Sequence, residues 1–275
     1  MVDLNAITVS LTETEPGFWV ARDSENVSYP AGTHKILAEL EDDSFWFSHR
    51  ARIIGSILDR YPPAGCVFDV GGGNGFMVRA LRSQGLDSIL VEPGSDGARA
   101  AFNRGLEPVV NATLGTAGFH DETMAAVGLF DVLEHVRDDV GFLRELHRRI
   151  KPSGRLYLTV PAYSWLWSTE DERSGHYRRY TARSLRRSLR QASFEVEFVS
   201  YFFVLLPAPI LLLRTIPSLL GLRASTLPNA GEHRGKSIGL RNIVESCLGL
   251  EVDVISRGRF PFGSSLMAVA RRAAG

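Results

Sequence analysis

Cysteine is nearly absent from these 275 residues: there are two, Cys66 and Cys247, both at apolar positions and without metal-ligand spacing. A disulfide-built scaffold is excluded, and buried thiols in a reducing cytosol are the plain reading. No excess of either charge is present, with 31 basic and 31 acidic side chains, so nothing global attracts nucleic acid. Lysine is scarce, at Lys35, Lys151 and Lys236 only, and arginine supplies the other positive charges. A GC-rich genome explains that bias without any functional demand. Residues Met1 to Leu11 show neither a basic nor an apolar segment of the secretory kind, so a cytoplasmic location is expected. A clean bilayer-spanning run is missing as well: 202–222 is apolar but broken by Pro207, Pro209, Pro217 and Arg214. No internal repeat is visible. At this length one large α/β domain with additions is the default.

The most telling feature present is Val67-Phe68-Asp69-Val70-Gly71-Gly72-Gly73-Asn74-Gly75. A short apolar run ends in an acid, then glycine fills four of five positions, then a helical pattern begins at Phe76, Val78 and Leu81. A buried strand passes to a helix through a turn stripped of side chains. Such turns let a ligand touch backbone amides and the positive end of a helix. The dinucleotide fingerprint requires a third small residue, but that position holds Phe76 counted from Gly71, or Val78 counted from Gly73. A nicotinamide oxidoreductase is therefore disfavoured.

Strand and helix signals then alternate. Strands are expected at 66–70, 88–92, 107–110, 125–130, 155–160 and 194–200, and helices at about 138–150 and 181–192. Lys151-Pro152-Ser153-Gly154 reads as a helix stop and tight turn. The expected fold is α/β, a Rossmann-like doubly wound, mostly parallel seven-stranded sheet with helical cap elements. Residues 1–61 would form an N-terminal helical cap, irregular to Pro30 and helical from about Thr33 to Tyr61. Residues 62–201 would be the core, 202–257 an apolar helical insertion with a polar loop at 223–237, and 258–275 a final strand.

Ligands of open α/β sheets sit at the carboxyl ends of the strands. Those ends carry Asp69 and the glycines, then Glu92-Pro93, suited to accepting both hydrogen bonds of a ribose diol. Asn111-Ala112-Thr113-Leu114 offers an amide and an apolar edge to an adenine, and Phe130-Asp131-Val132-Leu133-Glu134-His135 brings an acid and an imidazole.

With these pieces in this order, the chain resembles the class I S-adenosylmethionine-dependent methyltransferases. The matching segments are VFDVGGGNG, Glu92 closing the second strand, FDVLEHV, and KPSGRLYLTVP where K-P-G-G is usual. The resemblance covers about residues 64–200 plus the last strand. It implies S-adenosylmethionine as cofactor, with its amino-acid end on Gly71, Gly72, Gly73, Asn74 and Gly75, and its amine near Asp69. Glu92 would take the ribose, while Pro93 and Leu114 would flank the adenine, with Asn111, Thr113, Phe130 and Asp131 nearby. Asn111 departs from the aspartate common in the family.

His135, and His176 in the loop after the fifth strand, are the candidate catalytic groups, since imidazole titrates near neutrality. Either could instead orient a loop or a substrate oxygen. His34, His49, His120, His147 and His233 read as surface or helix-face residues. Trp46, Tyr163, Trp167, Tyr177, Arg178 and Tyr180 are candidate substrate contacts, against the alternative that the aromatics are core. Arg183, Arg186, Arg187 and Arg190 form one helical stripe, read as a solvated face or an anionic-lipid surface. Glu170-Asp171-Glu172 reads as a surface loop, and no metal is expected. The expected activity is methyl transfer to a small or lipophilic acceptor, a biosynthetic intermediate, without nucleic acid. The alternatives are a lipid-linked or glycan acceptor with peripheral membrane contact through 202–222, or a non-catalytic cofactor-binding regulator. Neither the acceptor atom nor the oligomeric state has a sequence signature.

Overall fold

The computed structural model describes residues 2–22, 44–221 and 238–274, with the side chains of 238–247 excepted. The start of the expected helix before Ser44, the polar loop 223–237, His34 and His233 lie outside the described residues.

One sheet of nine strands runs through the molecule in the order β1-β2-β5-β4-β3-β6-β7-β9-β8. The strands are β1 (Leu11–Glu15), β2 (Phe18–Ala21), β3 (Val67–Val70), β4 (Ser88–Val91), β5 (Val109–Asn111), β6 (Met124–Phe130), β7 (Ile150–Pro161), β8 (Phe194–Phe202) and β9 (Ser265–Arg272). From β2 to β7 neighbours are parallel, while β9 is antiparallel to both β7 and β8. The expected seven strands become nine because 11–21 folds as an antiparallel hairpin on β5. That stretch was read as irregular, and its polarity explains why. β1 buries only Leu11, whereas β2 buries Phe18 and Trp19. The helix before Lys151–Gly154 stops at Arg149, and these four residues are looped into an irregularity at the head of β7, where Met124 pairs with Ile150 and Ala126 next pairs with Arg155.

Helices cover both faces, as parallel strands require. They are α1 (Leu4–Ile7), α2 (Phe45–Arg60), α3 (Phe76–Ser83), α4 (Ser95–Asn103), α5 (Asp139–Arg149), α6 (Thr169–Arg173), α7 (Ala182–Gln191) and α8 (Ile238–Arg257). α2 starts where the Ser44 hydroxyl accepts from Trp46 N–H, and it buries Ile53, Ile54, Ile57 and Leu58 against β3, β6 and β9. α7 buries Leu185 and Leu189 and leaves Arg183, Arg187 and Arg190 in solvent. Burial raises the Cys66 thiol to about 11, which leaves it unreactive.

Between Phe202 and α8 the chain forms three short helical turns, Pro207–Ile210, Leu211–Thr215 and Ile216–Leu219. They touch the core edge through Thr215 Oγ1, which donates to the Leu166 carbonyl at 3.1 Å, and Ser218 Oγ, which accepts from Thr169 N–H at 3.1 Å. Leu212, Leu213, Leu219 and Leu220 remain exposed. Among the described residues no helix is long and apolar enough to cross a membrane.

His49 lies on the buried face of α2. It is 2 % exposed and its Nε2 lies 2.6 Å from Glu251 Oε2, while Glu251 Oε1 accepts from Val204 N–H at 2.8 Å. α2, the end of β8 and α8 are thereby joined at one buried point.

The turn between β3 and α3 is held by backbone bonds, Gly71 N–H to Val91 at 2.7 Å and Gly75 N–H to Gly72 at 3.0 Å. Gly75 caps α3 at φ +77°, and a Cβ there would stand 2.4 Å from Leu106 Cδ1 and 3.1 Å from Ala101 Cβ. Gly75→Ala should therefore lower unfolding stability by roughly 1–3 kcal/mol, through combined strain and overpacking. Urea unfolding checks this, and an unchanged midpoint would show that α4 yields freely.

Candidate active site

The glycine turn, the end of β4 and the end of β6 meet at one edge of the sheet. Three of the four glycines there are fixed by packing. A Cβ at Gly71 would strike Val132, at Gly72 the Asp69 carboxylate and Leu90, and at Gly75 Leu106. Gly73 differs: at φ +57° its missing Cβ would meet nothing within 4 Å. The turn is bare towards open space at that residue, where a ligand would lie.

Below it sits Asp69, 1 % exposed, with neither carboxyl oxygen hydrogen-bonded among the described residues. Burial pushes this carboxyl up to about 7; Arg50 opposes the rise and Glu92 adds to it. A buried acid without a partner beside a side-chain-free turn fits the ammonium of a bound amino-acid group. Glu92 closes the other side. Its Oε2 accepts from Gly73 N–H at 2.8 Å and its Oε1 from Gly94 N–H at 2.6 Å. A carboxylate has about four acceptor sites, the kind of group to which both hydroxyls of a ribose can donate. Pro93 stays half-buried beside it.

The expected adenine contacts divide. Asn111 gives its amide to the carbonyls of Glu92 and Pro93, at 2.9 and 3.1 Å, bracing the β4 turn. Thr113 and Thr116 cap one another's backbone N–H groups at 3.0 Å. Leu114 is 2 % exposed and packs in the main core, because the chain turns inward after β5. Phe130 is also core.

At the end of β6, Asp131 adopts φ +58° and accepts from Arg50 of α2 and, at 3.1 Å, from Thr159 Oγ1 of β7. Arg50 is buried, and its guanidinium lies 4.7 Å from the Trp46 ring centre. Trp46 in turn stacks on Phe203.

Beyond Asp131, Glu134 and His135 converge with His176. The two imidazoles meet edge to face at 4.7 Å. Burial, with Asp131 beside it, pushes Glu134 well above the usual carboxylate range. Burial, with His176 beside it, holds His135 down at about 4, so it is neutral at pH 7. His176 Nδ1 lies 2.9 Å from Asp171 Oδ1, and Arg179 binds both Asp171 oxygens, at 2.7 and 2.9 Å. Burial alone would raise Asp171, but the bonds from His176 and Arg179 hold it at about 2. Asp171 is thus no surface residue. It is 1 % exposed and completes a capping box with Ser168 at the head of α6.

Of the expected substrate contacts, Trp46 faces Arg50, and Tyr177 is exposed with its N–H bonded to the Glu134 carbonyl at 2.8 Å. Trp167 is half-buried, with Nε1 3.5 Å from Glu172. Tyr163 stacks on Tyr201 at 5.0 Å. Tyr180 and Arg178 both reach Asp139, at 3.0 and 2.9 Å, and the phenol, 2 % exposed, finds its acceptor there. Sequence reasoning missed Arg50, Glu134, Asp171 and Arg179. Glu134 adjoins His135, and Arg50 follows the Phe45–Phe47 cluster, which was the available signal.

A methyltransferase-domain family model matches residues 45–198. The chain belongs to that family, the class I S-adenosylmethionine-dependent methyltransferases. S-adenosylmethionine is the cofactor of that family. A ubiquinone biosynthesis O-methyltransferase of Aliivibrio fischeri is 29 % identical over 100 residues, 34 % of this chain and 43 % of that protein. The protein of the same description in Xanthomonas oryzae pv. oryzae is 28 % identical over 100 residues, 34 % of this chain and 42 % of its own. The chain thus spans less than half the length of these curated relatives. Among solved structures, the partner of the Trm112 methyltransferase activator in a Haloferax volcanii complex aligns with a TM-score of 0.54 at 15 % identity, over 89 % of this chain and 95 % of that one. Haemonchus contortus phosphoethanolamine N-methyltransferase 2, solved with phosphomonomethylethanolamine and S-adenosylhomocysteine, gives 0.54 at 16 %, over 87 % and 57 %. These structures share the fold.

The Asp69 carboxyl yields a pH prediction. Its folded pKa lies above the ordinary 3.8, so the folded state holds the proton more tightly. The contribution of Asp69 to stability is then full at low pH, falls as pH rises from about 4 to about 7, and is level above. Asp69→Asn should accordingly gain more stability over the parent at pH 8 than at pH 5 in urea unfolding. Equal differences at the two pH values would mean the carboxyl is solvated.

Proposed function

We propose that this protein transfers a methyl group from S-adenosylmethionine to an oxygen of a small or lipophilic acceptor, a biosynthetic intermediate. The observation that carries the cofactor half is the unpartnered, buried Asp69 carboxyl beside the open face of Gly73. Asp69 and the turn 71–75 would hold the amino-acid end, Glu92 the ribose, and Pro93 with the stretch 111–114 the adenine side. The sulfonium supplies an activated methyl carbon, so positioning on the order of 7–11 kcal/mol can provide most of the acceleration. Arg50, fixed by Asp131, and Trp46 would close the acceptor side against water. His176, oriented by Asp171, and His135 would meet the acceptor oxygen. The likeness to O-methyltransferases over 100 residues supports oxygen as the acceptor atom. The division into a cap (1–61), a core (62–201), an apolar insertion (202–257) and a last strand (258–275) belongs to the same reading.

The exposed leucines of 205–220 favour one variant of this reading, an acceptor reached at a membrane surface. Flotation with vesicles, compared with Leu212→Ser/Leu213→Ser, tests it.

Calorimetric titration with S-adenosylmethionine, with NAD as control, tests the core proposal, followed by detection of S-adenosylhomocysteine with phenolic acceptors. Glu92→Ala should weaken the cofactor by roughly 1.5–3 kcal/mol, the value of hydrogen bonds to a charged group. A change of a few tenths would put the ribose elsewhere. Gly73→Val should abolish binding in a folded protein, and unchanged affinity would remove this turn from the site.

A further inference from the structure

The strongest feature left over is the polar trio at the end of β6. Glu134, His135 and His176 each offer a ligand atom, and all three atoms lie within 4.8 Å of one another. We infer that these residues form a binding site for one divalent transition cation of the Mn²⁺-to-Zn²⁺ series. Two imidazoles with one carboxylate are the donor set such ions take, whereas Mg²⁺ and Ca²⁺ favour oxygen alone.

Three independent observations point the same way. Glu134 is 1 % exposed, and its Oε2 has no hydrogen-bond partner among the described residues. A buried carboxyl oxygen without a donor is costly unless something fills its place. Next, His176 is fixed from behind by Asp171 at 2.9 Å through Nδ1, which leaves Nε2 with the free lone pair. A carboxylate gripping the far nitrogen is the arrangement that orients metal-bound histidines. Finally, the nearby cations are engaged: Arg50 on Asp131 and Arg179 on Asp171. Donor atoms around one such ion lie no more than about 4.2 Å apart, a small rotamer adjustment from the spacing here.

Three protein ligands leave coordination positions open. Ion binding stands apart from the methyl-transfer reading; the use of those positions to seat an acceptor oxygen rests on it.

The test begins with protein stripped by chelator and titrated with Co²⁺ alone, followed by visible absorption and proton NMR. One Co²⁺ per chain should bind, with d–d bands and hyperfine-shifted signals from two histidine rings. Zn²⁺ should displace it, and Mg²⁺ in equal amount should not. Glu134→Gln and His135→Ala should each weaken binding by roughly tenfold or more, and Asp171→Asn by roughly 10–100-fold, as for outer-shell partners. No saturable binding, or bound Co²⁺ without shifted histidine signals, would overturn the site even if a variant failed to fold. Titration with S-adenosylmethionine in the same stripped protein reads the cofactor site separately, so either assignment can fail alone.

Discussion

A carboxyl group with no partner, sealed under a turn of glycines, sets the terms for the rest of this structure. Asp69 lies near the end of a central strand flanked by β4 and β6, and folding takes it out of water without giving it a donor among the described residues. The sheet that buries it is well packed, with Phe68, Leu90, Val127 and Leu129 all at 2 % exposure or less. Its raised pKa expresses that unmet demand. A cationic ligand would meet it, which turns a local cost of folding into selectivity for an amine-bearing cofactor. The glycines beside it carry no side chain that could supply the missing partner instead.

From that point a line of charged groups crosses the strand ends: Arg50 to Asp131, then Glu134, the two histidines, Asp171 and Arg179. Its members come from α2, the segment after β6, α6 and the loop beyond it, so the line exists only in the folded chain. Its pairs are largely buried, and a buried ion pair is weak evidence for stability. The arrangement makes better sense as positioning, with fixed dipoles kept where an acceptor would arrive.

Much of this was legible in the sequence. Val67 to Gly75 announced the strand, turn and helix, and the placement of Glu92 and His135 followed from the alternation of elements. What stayed hidden had a physical reason in each case. The β1–β2 hairpin has one largely polar strand, so no alternation betrayed it. Asp171 sits among exposed acids and looked like them until its capping box turned it inward. Tyr180 and Arg178 lie beside His176 in sequence, and their bonds to Asp139, far along the chain, had no local signal. Glu134 and His176 are brought together by the crossover from β6 to the loop after β7, which no local pattern reports.

The contact of His49 with Glu251 has a mechanical meaning. Helix α2 carries Arg50 and Trp46, α8 packs against it, and a buried imidazole–carboxylate bond together with the Val204 amide rivets the two helices to the end of β8. The two helices cannot swing independently. Shifting Trp46 to admit a bulkier acceptor would have to move both as one lever, so changes near either end of the chain should be felt at the other.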